Sequence, residues 1–505
     1  MSTEQVIKID KIKYYLLMAF ILIQPALDVY YLYTDKIVSK FGFSPATIIR
    51  VGITGVLVIL TISTLKDKKS WILISAYVFI VVIYTGVHIL NARDFYSLVP
   101  GDFGFSVKSE ISYIIRMFIP ITIIFITYKS CIKKKHFEVT AKWTLFLISG
   151  TIVITNLLKI SLGSYNNITI KDNIIGWFTG AYEKYNYSAL ASKGIFNFAN
   201  QISALLVFLL PVMIVIYVNK STLANLVIII TTLLAMVMLG TKVALYGAVI
   251  DIAVFIGAII LISIIKRENL INKRICVMVG LSLLVLGVLI SKAPSTNRER
   301  YSYNIRINNS KVVKKVEFKE SIMDSKDSMI DYIESNYEDL MVNKHFITKS
   351  YPYKYDPEFW VEIINLPVFE RLDWRNIEQK MLQRVMDINN NPKDKYLGLT
   401  FSRTQNIYNL ERDFISQYYS MGIIGVLIFL GPYICIVLSC MVFILMKLKR
   451  RITIENTMIC FATIFALGVS YYSGNVLDSL TVTIIMSFVL GNLINIVFKE
   501  GGYVC

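Results

Sequence analysis

Apolar residues in this chain gather into long unbroken runs, nine before and three after a polar stretch of about 120 residues, Lys292 to Arg412. A helix needs about 20 apolar residues to cross the hydrocarbon core, and inside it every backbone group must be satisfied within the protein. The pattern predicts an all-α polytopic membrane protein with about 12 transmembrane helices, near residues 13–33, 46–64, 71–91, 111–128, 141–160, 195–218, 222–239, 241–263, 275–291, 420–446, 455–474 and 477–497. It also divides the chain. Residues 1–291 carry helices 1–9, residues 292–412 form one large, mostly helical extracytoplasmic loop domain between helices 9 and 10, and residues 413–505 carry helices 10–12 and a short cytoplasmic tail.

The boundary that matters most lies within Leu226–Ile265, where only Gly240-Thr241-Lys242 interrupts the apolar run. Two spans there put both termini in the cytoplasm; one span inverts everything that follows. Within the polar stretch, helix is expected in Glu317–Asn343 and Asn376–Asp387. Tyr351-Pro352-Tyr353-Lys354-Tyr355-Asp356-Pro357 reads as an extended or turn segment between them. Two other connectors are long, Asn91–Glu110 and Ser161–Ser192. The second holds Trp177, Tyr165, Tyr182, Tyr185 and Tyr187, which suit interfacial anchoring or sugar stacking.

Composition agrees with lipid as the main solvent: 55% of the 505 residues are hydrophobic. The formal charge of +17 does not point to nucleic acid, because the polar stretch holds about 20 basic and 18 acidic residues and is nearly balanced. The excess sits in short connectors, Lys8/Lys11/Lys13, Lys66/Lys68/Lys69, Lys133/Lys134/Lys135, Lys266/Arg267/Lys273/Arg274 and Lys447/Lys449/Arg450/Arg451. The positive-inside rule places these in the cytoplasm and the polar stretch outside. None of the six cysteines lies in that stretch, so no disulfide framework or cysteine zinc site is expected there. Tyr14–Leu32 follows lysines as a signal peptide would, but its length and lack of a small-residue cleavage site mark a retained first span.

Ionisable groups inside spans cost about 2.5–3.5 kcal/mol each at mid-membrane and call for a reason. Here Asp28, Arg50, Arg116, Lys242 and Asp478, with the amides Asn200 and Gln201, all fall near the outer ends of their spans. Because successive spans alternate in direction, the shared depth points to a polar cavity open to the outer leaflet; the plainer alternative is a set of snorkelling charges. Asp251 lies deeper, about 180° around its helix from Lys242, and is expected to contact a neighbouring helix.

A second cluster closes the polar stretch: Asp373-Trp374-Arg375-Asn376, Leu397–Arg403, then Glu411-Arg412-Asp413 leading to Gly422-Ile423-Ile424-Gly425. Arginine forks suit diphosphate oxygens, and a carboxylate beside them can take a proton from an attacking hydroxyl. The plainer reading makes Asp413 a helix cap and Arg375, Arg403 and Glu411 solvated surface charges. No metal, nucleotide or dinucleotide motif is present, so no metal or cofactor is expected, and His88, His136 and His345 read as isolated structural residues.

With these residues assembled, the chain resembles the O-antigen ligase and polymerase superfamily, in particular its Gram-positive branch. The matching stretches are Gln24-Pro25-Ala26-Leu27-Asp28, Ser44-Pro45-Ala46-Thr47-Ile48-Ile49-Arg50, Gly194–Gln201, Gly240–Leu245, and Glu411-Arg412-Asp413 to Gly425. One departure stands out: where well-known ligases share a loop histidine, Arg412 and its flanking acids stand here. The resemblance implies a glycosyltransferase at the outer face of a bacterial cytoplasmic membrane, in cell-surface polysaccharide biosynthesis. Its donor would be a polyprenyl-diphosphate-linked glycan and its acceptor a glycan or lipid, with no metal and no nucleotide. Within that reaction we assign Arg375 and Arg403 to the diphosphate and expect Asp28, Arg50, Arg116, Asn200 and Lys242 to bind substrate. Glu411 is the first choice of base and Asp413 the second. Alternatives are a ligase for teichoic-acid-like chains and, without chemistry, a lipid-linked oligosaccharide flippase, which the lack of repeated halves disfavours.

Overall fold

The computed structural model describes residues 3–29, 44–160, 169–300, 320–408 and 410–498, and these are predominantly helical with no β-strand among them. Ten of the described helices are long and apolar enough to cross a bilayer: Pro45–Thr64, Lys68–Asn91, Val107–Ser130, Lys134–Leu157, Ala199–Asn219, Lys242–Lys266, Lys273–Ile290, Asp413–Met446, Ile454–Ser473 and Leu480–Phe498. Two more apolar runs also form helices. Thr3–Leu27 spends its first turns on Lys8, Asp10, Lys11 and Lys13, and Leu223–Met238 has only 16 residues. The chain is an all-α polytopic membrane protein.

The long apolar stretch Leu226–Ile265 is two helices, and the break has a local cause. Gly240 takes φ +71°, where a side chain would overlap the Ala191 methyl group. Thr241 then caps the next helix, its hydroxyl accepting the Ala244 amide at 3.1 Å. A cap and a left-handed residue together end one helix and start another where hydropathy alone shows a single run.

The chain forms two compact units. The first comprises Met1–Lys68, Phe118–Tyr301 and Pro432–Cys505; the second comprises Lys69–Met117 and Ser302–Gly431. In the first, Ala199–Asn219 packs against Lys134–Leu157, Leu223–Met238, Lys242–Lys266, Ile454–Ser473 and Leu480–Phe498. Nearly every residue of Ala199–Asn219 and Leu480–Phe498 is buried in protein. In lipid this packing rests on van der Waals fit rather than escape from water, and Gly491 accordingly meets Thr127 and Ile124 with no room for a Cβ.

The second unit has its own apolar core, in which Trp360, Tyr351, Phe346, Ile333, Met381 and Leu382 are buried. Its helices include Lys326–Asn336, Pro357–Asn365 and Trp374–Asn389. The expected helix over Glu317–Asn343 is therefore shorter, its start lying outside the described residues, and Pro357–Asn365 is a helix the pattern did not single out. Asp356 organises this region. Its carboxylate caps Pro357–Asn365 through the Phe359 amide, accepts the Tyr351 hydroxyl at 2.7 Å, and receives Arg384 at 2.7 and 3.1 Å. These partners outweigh the cost of burial and hold the Asp356 carboxyl below the usual carboxylate range.

Candidate active site

Among the expected site residues, Asp28, Arg50, Asn200 and Lys242 belong to the first unit. Arg116, Arg375, Arg403, Glu411 and Asp413 belong to the second. In the first, Arg50 is buried and meets Asp28 as a two-pronged pair, with both N···O distances 3.0 Å. Its Nε donates to Gln24 at 2.8 Å and one terminal nitrogen to the Thr481 hydroxyl at 2.6 Å, while Thr481 donates to Asp28 at 2.5 Å. Planar guanidinium and carboxylate satisfy each other while the serving Gln and Thr fill the remaining valences. Lys242 is exposed and pairs with Glu299 at 3.1 Å, and Asn200 donates to the Ser473 carbonyl at 3.1 Å. Asp251, expected to reach a neighbouring helix, is fully buried, and neither carboxyl oxygen has a hydrogen-bond partner among the described residues.

In the second unit, the first turn of Trp374–Asn389 faces the segment that leads into Asp413–Phe429. Arg375 pairs with Glu411 at 2.6 Å, both side chains about 40% exposed. One residue on, Arg412 donates to the Gln379 side-chain oxygen at 3.2 Å and lies 3.9 Å from Asp373. Two cations and two carboxylates thus interleave at the mouth of one helix. Trp374 beside them is half exposed, its ring edge-on to Phe346, which also carries Tyr408 at 4.7 Å. Glu378, one turn beyond Arg375, is 4% exposed, and its Oε2 has no hydrogen-bond partner among the described residues. Burial first, then the charges of Glu411 and Asp373, push its carboxyl up to about 8 against the opposing pull of Arg375 and Arg412.

Arg403 departs from the expected role. It is 2% exposed, and its three nitrogens donate to the carbonyls of Asp102 (2.9 Å), Leu399 (3.1 Å) and Ala92 (2.9 Å). Its guanidinium lies over Phe95 at 3.8 Å and Phe105 at 4.8 Å. Burial lowers its proton affinity to about 10, still a cation, with Asp102, Asp394 and Glu110 opposing the shift. A guanidinium so engaged holds loops together and has little to offer a substrate. Asp413 is buried at the first turn of its helix. Arg116 sits half-buried in Val107–Ser130.

Residues 10–500 match the family described as O-antigen ligase like membrane protein. The chain belongs to that family. No curated protein and no solved structure matches it.

Two buried polar residues of this O-antigen ligase-like protein escaped the reading of its sequence. Glu110 accepts the amides of Phe401 (2.9 Å) and Ser402 (2.8 Å) and the Ser402 hydroxyl (2.6 Å), so it caps the helix Phe401–Ile407 from another segment. His88 sits 3.2 Å from the same carboxylate, with its other ring nitrogen 2.7 Å from the Leu397 carbonyl. His88 looked like a stray histidine and Glu110 like the edge of a connector. The only available signal was that both stand beside apolar runs at the two ends of one connector.

That knot fixes the Leu397–Arg403 segment, which is further bound to the helix after it. Leu399 and Thr400 donate to the carbonyls of Tyr419 and Ser420 at 2.7 and 3.2 Å. Neighbouring Asn91 and Asn389 both donate to Asp394, yet burial raises its carboxyl above the ordinary range.

Proposed function

We propose that this O-antigen ligase-like protein is a glycosyltransferase at the outer face of a bacterial cytoplasmic membrane. Its donor is a glycan carried on a polyprenyl diphosphate, which it lengthens or passes to a glycan or lipid acceptor. The observation that carries the reading is the half-exposed Arg375–Glu411 pair with Arg412 and Asp373 alongside. A diphosphate that replaces Glu411 on Arg375 gains charge-assisted donors and releases a carboxylate at the place where charge develops.

In this proposal the acceptor hydroxyl oxygen bonds to the anomeric carbon and its proton passes to Glu411. The bond from that carbon to the carrier's phosphate oxygen breaks, and the electron pair leaves with the diphosphate. Arg375 stabilises that leaving charge; removing one such preorganised donor costs about 10²–10³ in rate. Asp413 is the second choice of proton acceptor. Asp28, Asn200, Lys242 and Arg116 remain proposed substrate contacts, with Arg50 holding Asp28 in place. The donor arrives dissolved in lipid, so the reaction calls on no nucleotide site.

The test uses the purified full chain in detergent and the lipid-linked glycan that accumulates in cells lacking it. Consumption of the donor with longer lipid-linked products means polymerase. Consumption only when a second acceptor is added means ligase. Intact donor under both conditions overturns the reading in favour of transport.

A further inference from the structure

Glu378 has no part in the scheme above, yet it stands one helical turn from Arg375. At three residues' separation the two share a helix face. The other charged or titratable groups that act on it among the described residues include Glu411 and Arg412 from the segment before Asp413–Phe429, Asp373 from the start of its own helix, and the Tyr408 hydroxyl from beyond Phe401–Ile407. Its Oε2 is buried with no hydrogen-bond partner among the described residues, so ionisation would leave that oxygen without a donor.

With Glu378 neutral, two arginines face two carboxylates, and an incoming diphosphate can take over the cations as Glu411 lets go. With Glu378 ionised, three carboxylates compete for two arginines. The site is then net negative, and the new anion turns to the guanidinium that acts on it more strongly, that of Arg375.

We propose that Glu378 is a positioning residue acting through Arg375. As a neutral acid it lets the guanidinium exchange Glu411 for the substrate's diphosphate, and as an anion it holds that guanidinium and excludes the diphosphate. The proposal rests on the glycosyltransferase reading of the site. It concerns donor capture, so its signature lies in KM rather than kcat. The carboxyl's proton affinity, pushed up to about 8, places the change at mildly alkaline pH. At pH 9 about a tenth of the molecules would keep the competent state, and apparent KM would rise about tenfold.

The experiment measures KM and kcat for the lipid-linked glycan extracted from cells lacking the chain, at pH 7 to 9, with full-length protein in detergent. This donor is a diphosphate diester, so its own charge is constant over that range. The expected result is a wild-type KM that rises about tenfold while kcat changes less, and a flat KM for Glu378→Gln at the wild-type pH 7 value. A wild-type KM that stays flat overturns the inference, with no variant needed. So does a Glu378→Gln KM that rises as the wild type's does. If Arg375→Gln abolishes turnover in that last case, the site reading stands and only the role of Glu378 falls. If Arg375→Gln has wild-type KM and kcat, the site reading and this inference fall together.

Discussion

Gly398 and Gly422 stand where two backbone segments touch, and a Cβ on either would enter the peptide beside the other. A Cβ on Gly398 would lie 2.5 Å from the Ser420 carbonyl and the Met421 amide, and one on Gly422 would run into the Tyr396–Leu397 peptide. Both take positive φ, +83° and +66°. Two segments thus cross at backbone contact, which is possible only where neither carries a Cβ. Gly398→Ala or Gly422→Ala is expected to cost about 1–3 kcal/mol each and to lower the melting temperature in detergent. Gly431→Ala, with open space around it, is the neutral control.

The Asp28–Arg50 fork offers a test of coupling. Truncating one member leaves the other's charge in a mostly buried setting, a loss of about 3–5 kcal/mol. Arg50→Leu alone is expected to be more harmful than Asp28→Leu/Arg50→Leu together, with a coupling energy of about 0.5–3 kcal/mol in a double-mutant cycle. Additive effects on thermal unfolding would show that the pair contributes nothing as a pair.

Arg403→Lys keeps the charge but loses the planar fork that reaches three carbonyls and lies over two aromatic rings. Each charge-assisted bond lost is worth about 1.5–3 kcal/mol, so a clear fall in thermal stability is expected. Since the guanidinium is turned to the protein's own backbone, the KM for the donor should change less in this variant than in Arg375→Lys.

Glu378 also ties stability to pH. Its carboxyl rises from an ordinary 4.5 to about 8 on folding, so the folded state holds a proton that the unfolded chain releases. The stability associated with that proton is complete below about 4.5 and is lost as pH climbs through about 8. Melting temperatures of the wild type and Glu378→Gln should therefore diverge from pH 5 to pH 9, the variant gaining on the wild type. Parallel curves would mean that the carboxyl is as easily ionised as one in water.

What the sequence made visible follows from the range of the forces involved. Apolar runs report the bilayer directly, so helix locations were legible, as was the interruption at Gly240-Thr241-Lys242, though not the cap that Thr241 makes there. The Arg375–Glu411 partnership drew attention only as a cluster of suitable residue types 36 positions apart. The setting of Glu378 is made by residues on either side of a fold that hydropathy does not describe. The same blindness hid the His88–Glu110–Ser402 knot and made Arg403 look like a ligand rather than an anchor. Asp251 shows the converse: a helical wheel puts it on the far side from Lys242, but not whether anything polar waits there.

The burial of Leu480–Phe498 has a bearing on how the protein is made. This helix is held against Thr3–Leu27, Ala199–Asn219 and Ile454–Ser473, all synthesised before it. Insertion machinery therefore has to admit a segment that lipid would welcome into a slot that ends up without lipid. A chain that stopped before Leu480 would leave those three helices with an unfilled apolar face.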